Sequence, residues 1–151
     1  MIINKEIIMK FNINRFPGIL ILTIFIFAAC GTNRAEKEKI RYRTDPMAER
    51  MLKTLDQKKY TEFSSDFDDS LKTYFSEVKF NDLHSFMKKS QGEYVSKSFF
   101  SIIKDKNTLT IQYFVVYTIK TPTYVLILTF NSPDGTGPVS GFKLLPFNVS
   151  R

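Results

Sequence analysis

Residues 108–119 read TLTIQYFVVYTI, and this stretch decides the fold class. Apolar or aromatic residues fill every second position from Leu109 to Ile119, and polar residues such as Thr110 and Gln112 separate the first of them. A period of two is typical of a β-strand that buries one of its faces. We therefore predict a strand over these residues, with the odd-numbered positions facing the core.

Three further strand patterns surround this one. The segment 94–103 is rich in aromatic and β-branched residues, 124–130 is apolar on both faces, and 139–147 contains Gly141 at an expected bulge or close approach. Turn sequences separate the patterns: Asp105-Lys106-Asn107, Thr121-Pro122 and Ser132-Pro133-Asp134-Gly135. Short turns between successive strands predict an antiparallel meander, with residues 124–130 in a central position.

The residues before the meander have helical periodicity. Asp45-Pro46 is a helix-start signal, and apolar residues recur from there at intervals of three and four to about Lys58. Shorter helical patterns follow around Tyr60, after Asp68, and from Ser76 to a stop at Gly92. Helices followed by strands predict an α+β domain over residues 45–151, in which N-terminal helices pack on a curled, cone-like sheet of four antiparallel strands.

A short apolar run lies near the N-terminus. Lys10 and Arg15 precede an apolar run over residues 19–27 that only Thr23 interrupts, and Ala28-Ala29 stand directly before Cys30, the only cysteine of the chain. Positive, apolar and then small residues are the order of a secretory signal peptide, which we predict over residues 1–29. The run is shorter than the ~20 residues that span a bilayer.

A cysteine directly after the small pair resembles the lipobox of bacterial lipoproteins. The resemblance implies cleavage between Ala29 and Cys30, acylation of Cys30 with palmitate or a similar chain, and attachment to a membrane of the bacterial envelope, the outer membrane included. Phe27 departs from this pattern, because most lipoboxes carry leucine there. A secreted protein without lipid and an uncleaved anchoring helix are the alternatives.

The segment 31–44, GTNRAEKEKIRYRT, is polar and dense in charge. It predicts that residues 30–44 form a lipidated cysteine followed by a flexible tether. Its basic residues either touch anionic lipid headgroups or are simply solvated, since Glu36 and Glu38 lie among them.

The charge balance limits the partners. The whole chain has 22 Lys and Arg residues against 15 Asp and Glu residues, a formal net charge of +7, and loss of residues 1–29 leaves the mature part at +5. This balance does not point to nucleic acid, which a protein outside the cytoplasm does not normally meet. With Cys30 acylated, no thiol is left for a disulfide, a metal site or nucleophilic catalysis, and we predict no cofactor.

Structural residues spread from Pro46 to about Phe147 carry a family resemblance. They are Ala48, Met51 and Leu52, then Tyr60, Phe63, Phe67, Asp68 and Gly92, and finally Asp134, Gly135, Val139, Ser140, Gly141, Phe142 and Pro146. In this pattern the chain resembles a bacterial family of unknown function with the nuclear-transport-factor-two-like, or cystatin-like, cone fold. The resemblance implies a cavity between sheet and helices, and no catalytic residues come with it.

Candidate site residues are few. His84 is the only histidine, and the four predicted strands contain neither Asp nor Glu, so a histidine base has no acidic partner in the readable pattern. Tyr113, Tyr117 and Tyr124 either line a pocket with their hydroxyl groups or pack across the strands. We predict no catalytic residue and no metal site, because one histidine without cysteine offers too few ligands.

These observations favour a non-enzymatic, membrane-tethered accessory module. We expect its cavity or sheet face to bind a small apolar ligand or another envelope protein. The alternative is a small cofactor-free enzyme, isomerase-like or dehydratase-like, that uses the cavity. The sequence does not predict the oligomeric state.

Overall fold

The structure of the chain is a computed structural model that describes residues 33–119 and 121–147. The predicted signal peptide and Cys30 therefore lie outside the described residues. The helices are α1 (Arg34–Asp56), α2 (Tyr60–Phe63), α3 (Asp69–Tyr74) and α4 (Glu77–Gln91). The strands are β1 (Tyr94–Lys104), β2 (Leu109–Tyr117), β3 (Thr123–Phe130) and β4 (Val139–Phe147). No helix of this part of the chain is both long enough and apolar enough to cross a membrane.

The strands form one antiparallel sheet in the order β1-β2-β3-β4. This confirms the α+β class, the meander and the central position of β3. The register shifts twice within the pairing of β1 with β2 and once between β3 and β4, beside Gly141. A Cβ atom on Gly141 would lie 3.1 Å from the Thr129 Cβ, so both features expected at this glycine, a bulge and a close approach, are present.

The inner face of the sheet is buried under the helices. The odd-numbered residues of β2 from Leu109 to Tyr117 are at most 4% exposed, as their alternation predicts. The prediction is wrong for Ile119, which is 47% exposed because β2 ends at Tyr117. Aromatic rings then connect the short helices to β4, since Phe63 lies 4.9 Å from Phe80 and 5.2 Å from Phe142 between ring centroids.

The start of α1 differs from the prediction. The helix begins at Arg34 with Asn33 as its N-cap, not at Asp45, so a flexible tether over residues 34–44 is wrong. Ile40 and Thr44 are at most 2% exposed and continue the buried stripe of the helix toward its N-terminus. The segment is therefore part of the folded domain, because one apolar side chain at the right spacing is covered by the sheet.

The start of α3 and the end of α4 were predicted correctly. Asp68 caps α3, since its Oδ1 accepts a hydrogen bond of 2.7 Å from the Leu71 amide. Gly92 ends α4 with a φ of 80°, and a Cβ there would lie 2.0 Å from the Thr118 Oγ1. Only glycine fits this position, where the chain leaves α4, passes the end of β2 and enters β1.

Candidate functional site

Two of the residues singled out in the sequence meet at one end of the domain. His84 of α4 and Tyr117 of β2 line a cavity of about 10 Å³, together with Leu55, Asp56, Met87, Lys88 and Gly92. The Nδ1 of His84 and the hydroxyl of Tyr117 are buried and have no hydrogen-bond partner among the described residues. A volume of this size is near the lower limit for one water molecule, so the cavity is too small for an organic substrate.

Charged groups surround this cavity on its outer side. The Lys88 Nζ lies 3.2 Å from Glu93 Oε1 and 3.5 Å from Asp56 Oδ1. The hydrogen bond to Glu93 is the main cause of a raised pKa at Lys88, and the Asp56 charge adds to it. Asp56 Oδ1 also accepts a hydrogen bond of 3.3 Å from the Tyr94 amide. The Asp56 carboxylate therefore already has two partners and helps to hold the end of α1 against β1 and α4.

Tyr113 lies apart from this cavity, in a polar network under α1. Its hydroxyl donates to Asp45 Oδ1 at 2.8 Å and lies 3.0 Å from Thr44 Oγ1. Arg41 approaches the other oxygen of Asp45 at 3.1 Å, and the Lys97 Nζ lies 4.5 Å from the centre of the Tyr113 ring. Burial raises the pKa of Tyr113 above its ordinary value, so this hydroxyl stays protonated and acts as a donor.

Tyr124, the last of the candidate residues named from the sequence, packs against Tyr117. Its ring lies 6.1 Å from that of Tyr117 in an edge-on arrangement, and Tyr94 packs on the other side of Tyr117 at 6.2 Å. Burial raises the pKa of Tyr117, with smaller contributions from Asp56 and Tyr124. The structure thus brings His84, Tyr117 and Tyr124 into one neighbourhood and places Tyr113 in another.

Asp56 is the site residue that sequence reasoning missed. It stands 28 positions before His84 and on a different helix, so no local spacing connects the two. In the residues that the structure describes, no group of three or more His, Cys, Asp or Glu side chains is placed to hold a metal ion. The interior therefore offers one histidine and one engaged carboxylate around a very small space.

The outer face of the sheet, turned away from the helices, has a different character. Phe100, at the register shift of β1, stacks on Phe114 of β2 with ring centroids 4.3 Å apart, and Phe147 of β4 lies 5.2 Å from Phe114. Strand register adds further apolar residues to the same face. We call the following set the outer-face patch: Phe100, Phe114, Val116, Val125, Leu145 and Phe147. It joins all four strands.

The outer-face patch is exposed at its edges and closed at its centre. Phe100, Leu145 and Phe147 are between 38% and 47% exposed, whereas Val125 in the middle is 6% exposed because its neighbours cover it. The described strands contain no acidic residue, and register places Lys143 beside the patch, next to Ile127. Serine and threonine side chains such as Ser98 and Thr110 form its border on β1 and β2. A contiguous apolar surface with a polar border is typical of an interaction site.

An open groove of about 410 Å³ also lies along α1. It is lined by Pro46, Glu49, Arg50, Lys53, Thr54, Gln57 and Glu62. Its charged groups pair with one another or with neighbours, since Lys53 lies 3.2 Å from Glu49 and Arg50 pairs with Asp66. Pro46 is the one apolar residue of this lining, and the charged side chains are engaged in ion pairs, so the outer-face patch is the stronger candidate.

Comparison with known proteins gives little beyond this geometry. No protein-family model matches the chain, and no curated protein matches it. The chain is similar to a crystal structure of an NTF-2-like protein of unknown function from Burkholderia xenovorans LB400, with 16% sequence identity and a TM-score of 0.36. The match covers 76% of this chain and 90% of that one. At this TM-score the description of the fold rests on the chain's own helices and strands.

Proposed function

We propose that the mature chain is a lipid-anchored, non-enzymatic binding module of the bacterial envelope. Its binding surface is the outer-face patch, and its partner is another envelope protein that presents an apolar surface with a polar or weakly acidic rim. The observation that carries the proposal is the cluster of Phe100, Phe114 and Phe147 on the face that none of the described helices covers, in which Phe100 is 42% and Phe147 38% exposed.

The shapes of the inner cavity and of the outer-face patch favour a protein partner over a small apolar ligand. Pockets for small ligands have volumes of roughly 300–1,000 Å³ and enclose most of the ligand. The cavity beside His84 measures about 10 Å³, and the outer-face patch lies on an open sheet face. An open apolar face suits a broad protein surface, which buries aromatic residues at its centre and leaves polar groups at the rim.

The charge of the patch indicates the chemistry of the partner. Lys143 lies beside the patch, no strand residue is acidic, and the mature part carries a formal charge of +5. A partner with acidic residues at its rim would meet Lys143 without repulsion from a carboxylate on this face. A strongly basic partner would find no acidic group on the strands to pair with.

Lipid anchoring rests on the sequence around Cys30. The order of basic residues, an apolar run, Ala28-Ala29 and the single cysteine supports cleavage and acylation at this position. Two acyl chains would hold the domain stably at a membrane, whereas one chain gives only marginal binding. The anchor restricts the partners of the outer-face patch to proteins of the same membrane surface.

One observation favours the enzyme as a second candidate. Asp56 and His84 line the same cavity, and a carboxylate beside a histidine is a pairing used in general acid–base catalysis. This reading ranks second because the cavity holds at most about one water molecule and Asp56 already binds Lys88 and the Tyr94 amide. A substrate whose turnover collapses in His84→Gln while its binding persists would reverse the ranking.

The test is photo-crosslinking in intact cells, followed by purification from the membrane fraction. A photoreactive side chain at Ser98, on the outer face, should crosslink to one envelope protein. The same side chain at Ser85, which is exposed on α4, is the matched control and should not. Cys30→Ser should move the chain out of the membrane fraction and remove the crosslink with it, because the partner is then no longer at the same surface.

Two double variants sharpen this test. Leu145→Gln with Phe147→Gln should lower the Ser98 crosslink about tenfold or more, the effect of losing a central apolar anchor. Val78→Gln with Phe86→Gln changes two apolar residues on α4 that are more exposed still, at 71% and 56%, and should leave the crosslink unchanged. A crosslink to a second copy of this chain, or equal crosslinking from both serines, would overturn the assignment of the patch to an envelope protein. Full membrane recovery of Cys30→Ser would overturn the anchoring.

A further inference from the structure

The number of residues between the proposed anchor and the first helix sets how close the domain lies to the lipid. Asn33 caps α1, accepting a hydrogen bond of 2.9 Å from the Glu36 amide, and Cys30 is three residues earlier. Three residues reach at most about 11 Å even when fully extended. The first turn of α1 must therefore lie at the headgroup layer when Cys30 carries lipid.

A second element shares this end of the domain. Lys104, the last residue of β1, forms an ion pair with Glu36 in the first turn of α1. The turn between β1 and β2, residues 105–107, therefore lies beside the start of the helix. We call residues 34–39 and 104–107 together the anchored end.

The anchored end has more basic than acidic residues. Its basic residues are Arg34, Lys37, Lys39, Lys104 and Lys106, and its acidic residues are Glu36, Glu38 and Asp105. Two of the acidic residues are already engaged, because Arg34 pairs with Glu38 at 3.2 Å and Lys104 pairs with Glu36.

The remaining cations are free to meet another surface. Lys37, Lys39 and Lys106 are exposed and form no ion pair among the described residues. Asp105 opposes them, but its Oδ1 accepts a hydrogen bond of 2.7 Å from the Lys106 amide, which turns the carboxylate toward its own turn. Three free ammonium groups against one carboxylate fit a negatively charged surface.

From these observations we propose that the anchored end docks directly on anionic lipid headgroups through Lys37, Lys39 and Lys106. This inference rests on the proposed anchoring at Cys30, which brings the anchored end to the membrane. The acyl chains supply the attachment, and the three lysines set the orientation of the domain. The outer-face patch lies in the half of the sheet away from the anchored end, so the docked domain holds it at a fixed distance above the membrane instead of turning freely.

Vesicle flotation of the unlipidated mature chain tests the docking without the anchor. The chain over residues 30–151 with Cys30→Ser should float with vesicles of equal parts phosphatidylglycerol and phosphatidylcholine at low salt. It should not float with phosphatidylcholine alone. The triple variant Lys37→Gln, Lys39→Gln, Lys106→Gln should bind the anionic vesicles at least about tenfold more weakly, because each cation near the surface contributes to the attraction. Raising the salt concentration should weaken binding of the parent chain.

A matched triple variant separates docking from general positive charge. Lys58, Lys72 and Lys89 are also exposed and without an ion pair in the described part of the chain, but they lie outside the anchored end. Their replacement by glutamine removes the same charge and should leave vesicle binding within about twofold of the parent. Equal losses in both triple variants would overturn the inference, because the attraction would then follow net charge alone.

Tryptophan fluorescence gives an independent readout. The chain contains no tryptophan, so one introduced residue reports its own surroundings. Ala35→Trp, in the first turn of α1, should shift its emission to shorter wavelength when anionic vesicles are added. Tyr74→Trp, at a position 69% exposed on α3, should not.

The two proposals fail separately. If Cys30 is not acylated in cells and the unlipidated chain still binds anionic vesicles through the three lysines, the anchoring is wrong and the docking site stands. If Cys30 is acylated and neither flotation nor fluorescence responds to anionic lipid, the docking inference is overturned and the anchoring stands.

Discussion

Both faces of the sheet carry apolar side chains, yet the described helices cover only one of them. On the inner face, residues such as Ile111, Tyr113 and Leu128 are fully buried under the helices. On the outer face, Phe100, Leu145 and Phe147 keep 38% to 47% of their surface in water. The difference teaches that apolar periodicity places residues on a face but does not say what covers that face.

The described helices cover the inner face, and we propose that another molecule covers the outer one. Stacking of Phe100, Phe114 and Phe147 removes part of their apolar surface from water, and the part that stays exposed is the area that a partner would bury. Substitutions on the inner face should therefore lower the stability of the fold. Substitutions on the outer face should weaken binding of the partner.

The largest expected contrast comes from two leucines on neighbouring strands. Leu128→Ala on the inner face should lower the free energy of unfolding by about 2–5 kcal/mol, because it opens a cavity in a closed core. Leu145→Ala should cost less than about 1 kcal/mol in the isolated chain, since the side chain is 47% exposed. Urea unfolding of both variants measures this. Equal losses would mean that the outer-face patch belongs to the core and is not a binding surface.

A smaller contrast separates two inner tyrosines. Tyr113→Phe should cost about 1–3 kcal/mol, because it removes the hydroxyl that donates to Asp45 Oδ1 and lies 3.0 Å from the fully buried Thr44 Oγ1. Tyr117→Phe should be close to neutral, since the Tyr117 hydroxyl has no partner among the described residues. The same urea titration applies. A loss at Tyr117 as large as that at Tyr113 would contradict the description of the cavity and point to a bridging molecule within it.

The smallest expected effect is a loss of stability at alkaline pH, which is absent at neutral pH. Burial raises the pKa of Tyr94, Tyr113 and Tyr117, so the folded chain holds these protons more tightly than the unfolded chain. Their contribution to stability is complete below the unfolded tyrosine pKa of about 10 and is lost as the pH rises through the higher folded values. The stability should therefore fall progressively above about pH 10.

The aromatic residues of the outer-face patch are phenylalanines and take no part in this titration. Tyr117→Phe should make the loss of stability between pH 10 and pH 11 less steep than in the wild type. Tyr42→Phe, at a position 85% exposed, should leave the slope unchanged. The prediction fails if Tyr117→Phe and the wild type lose stability with the same slope.

The strands and turns were predictable because their signals are local. The alternation of β2, the stop at Gly92 and the bulge at Gly141 each depend on neighbouring residues. The start of α1 was missed because residues 34–44 contain a single strongly apolar aliphatic residue, Ile40, and its burial depends on a sheet that forms more than 50 residues later. Charged pairs at a spacing of four, such as Arg41 with Asp45, support this part of the helix and leave no hydrophobic pattern.

The candidate site was less predictable than the fold. The neighbourhood of Asp56 and His84 arises from the packing of α1 on α4, and Phe100 reaches the outer face because the register shifts beside it. Phe114 and Val116 were visible as interruptions of the alternation in β2. The sequence does not show on which face of the sheet the helices pack, so Phe114 and Val116 could not be assigned to a binding surface.

The strand order β1-β2-β3-β4 also bears on aggregation. β1 and β4 are the two edges of the sheet, and an open edge can pair with the edge of another molecule. Pro146 lies near the end of β4 and offers no amide hydrogen, while the two register shifts interrupt β1. Molecules crowded together on a surface would meet edge to edge often, and these irregularities keep such encounters from growing into continuous sheets.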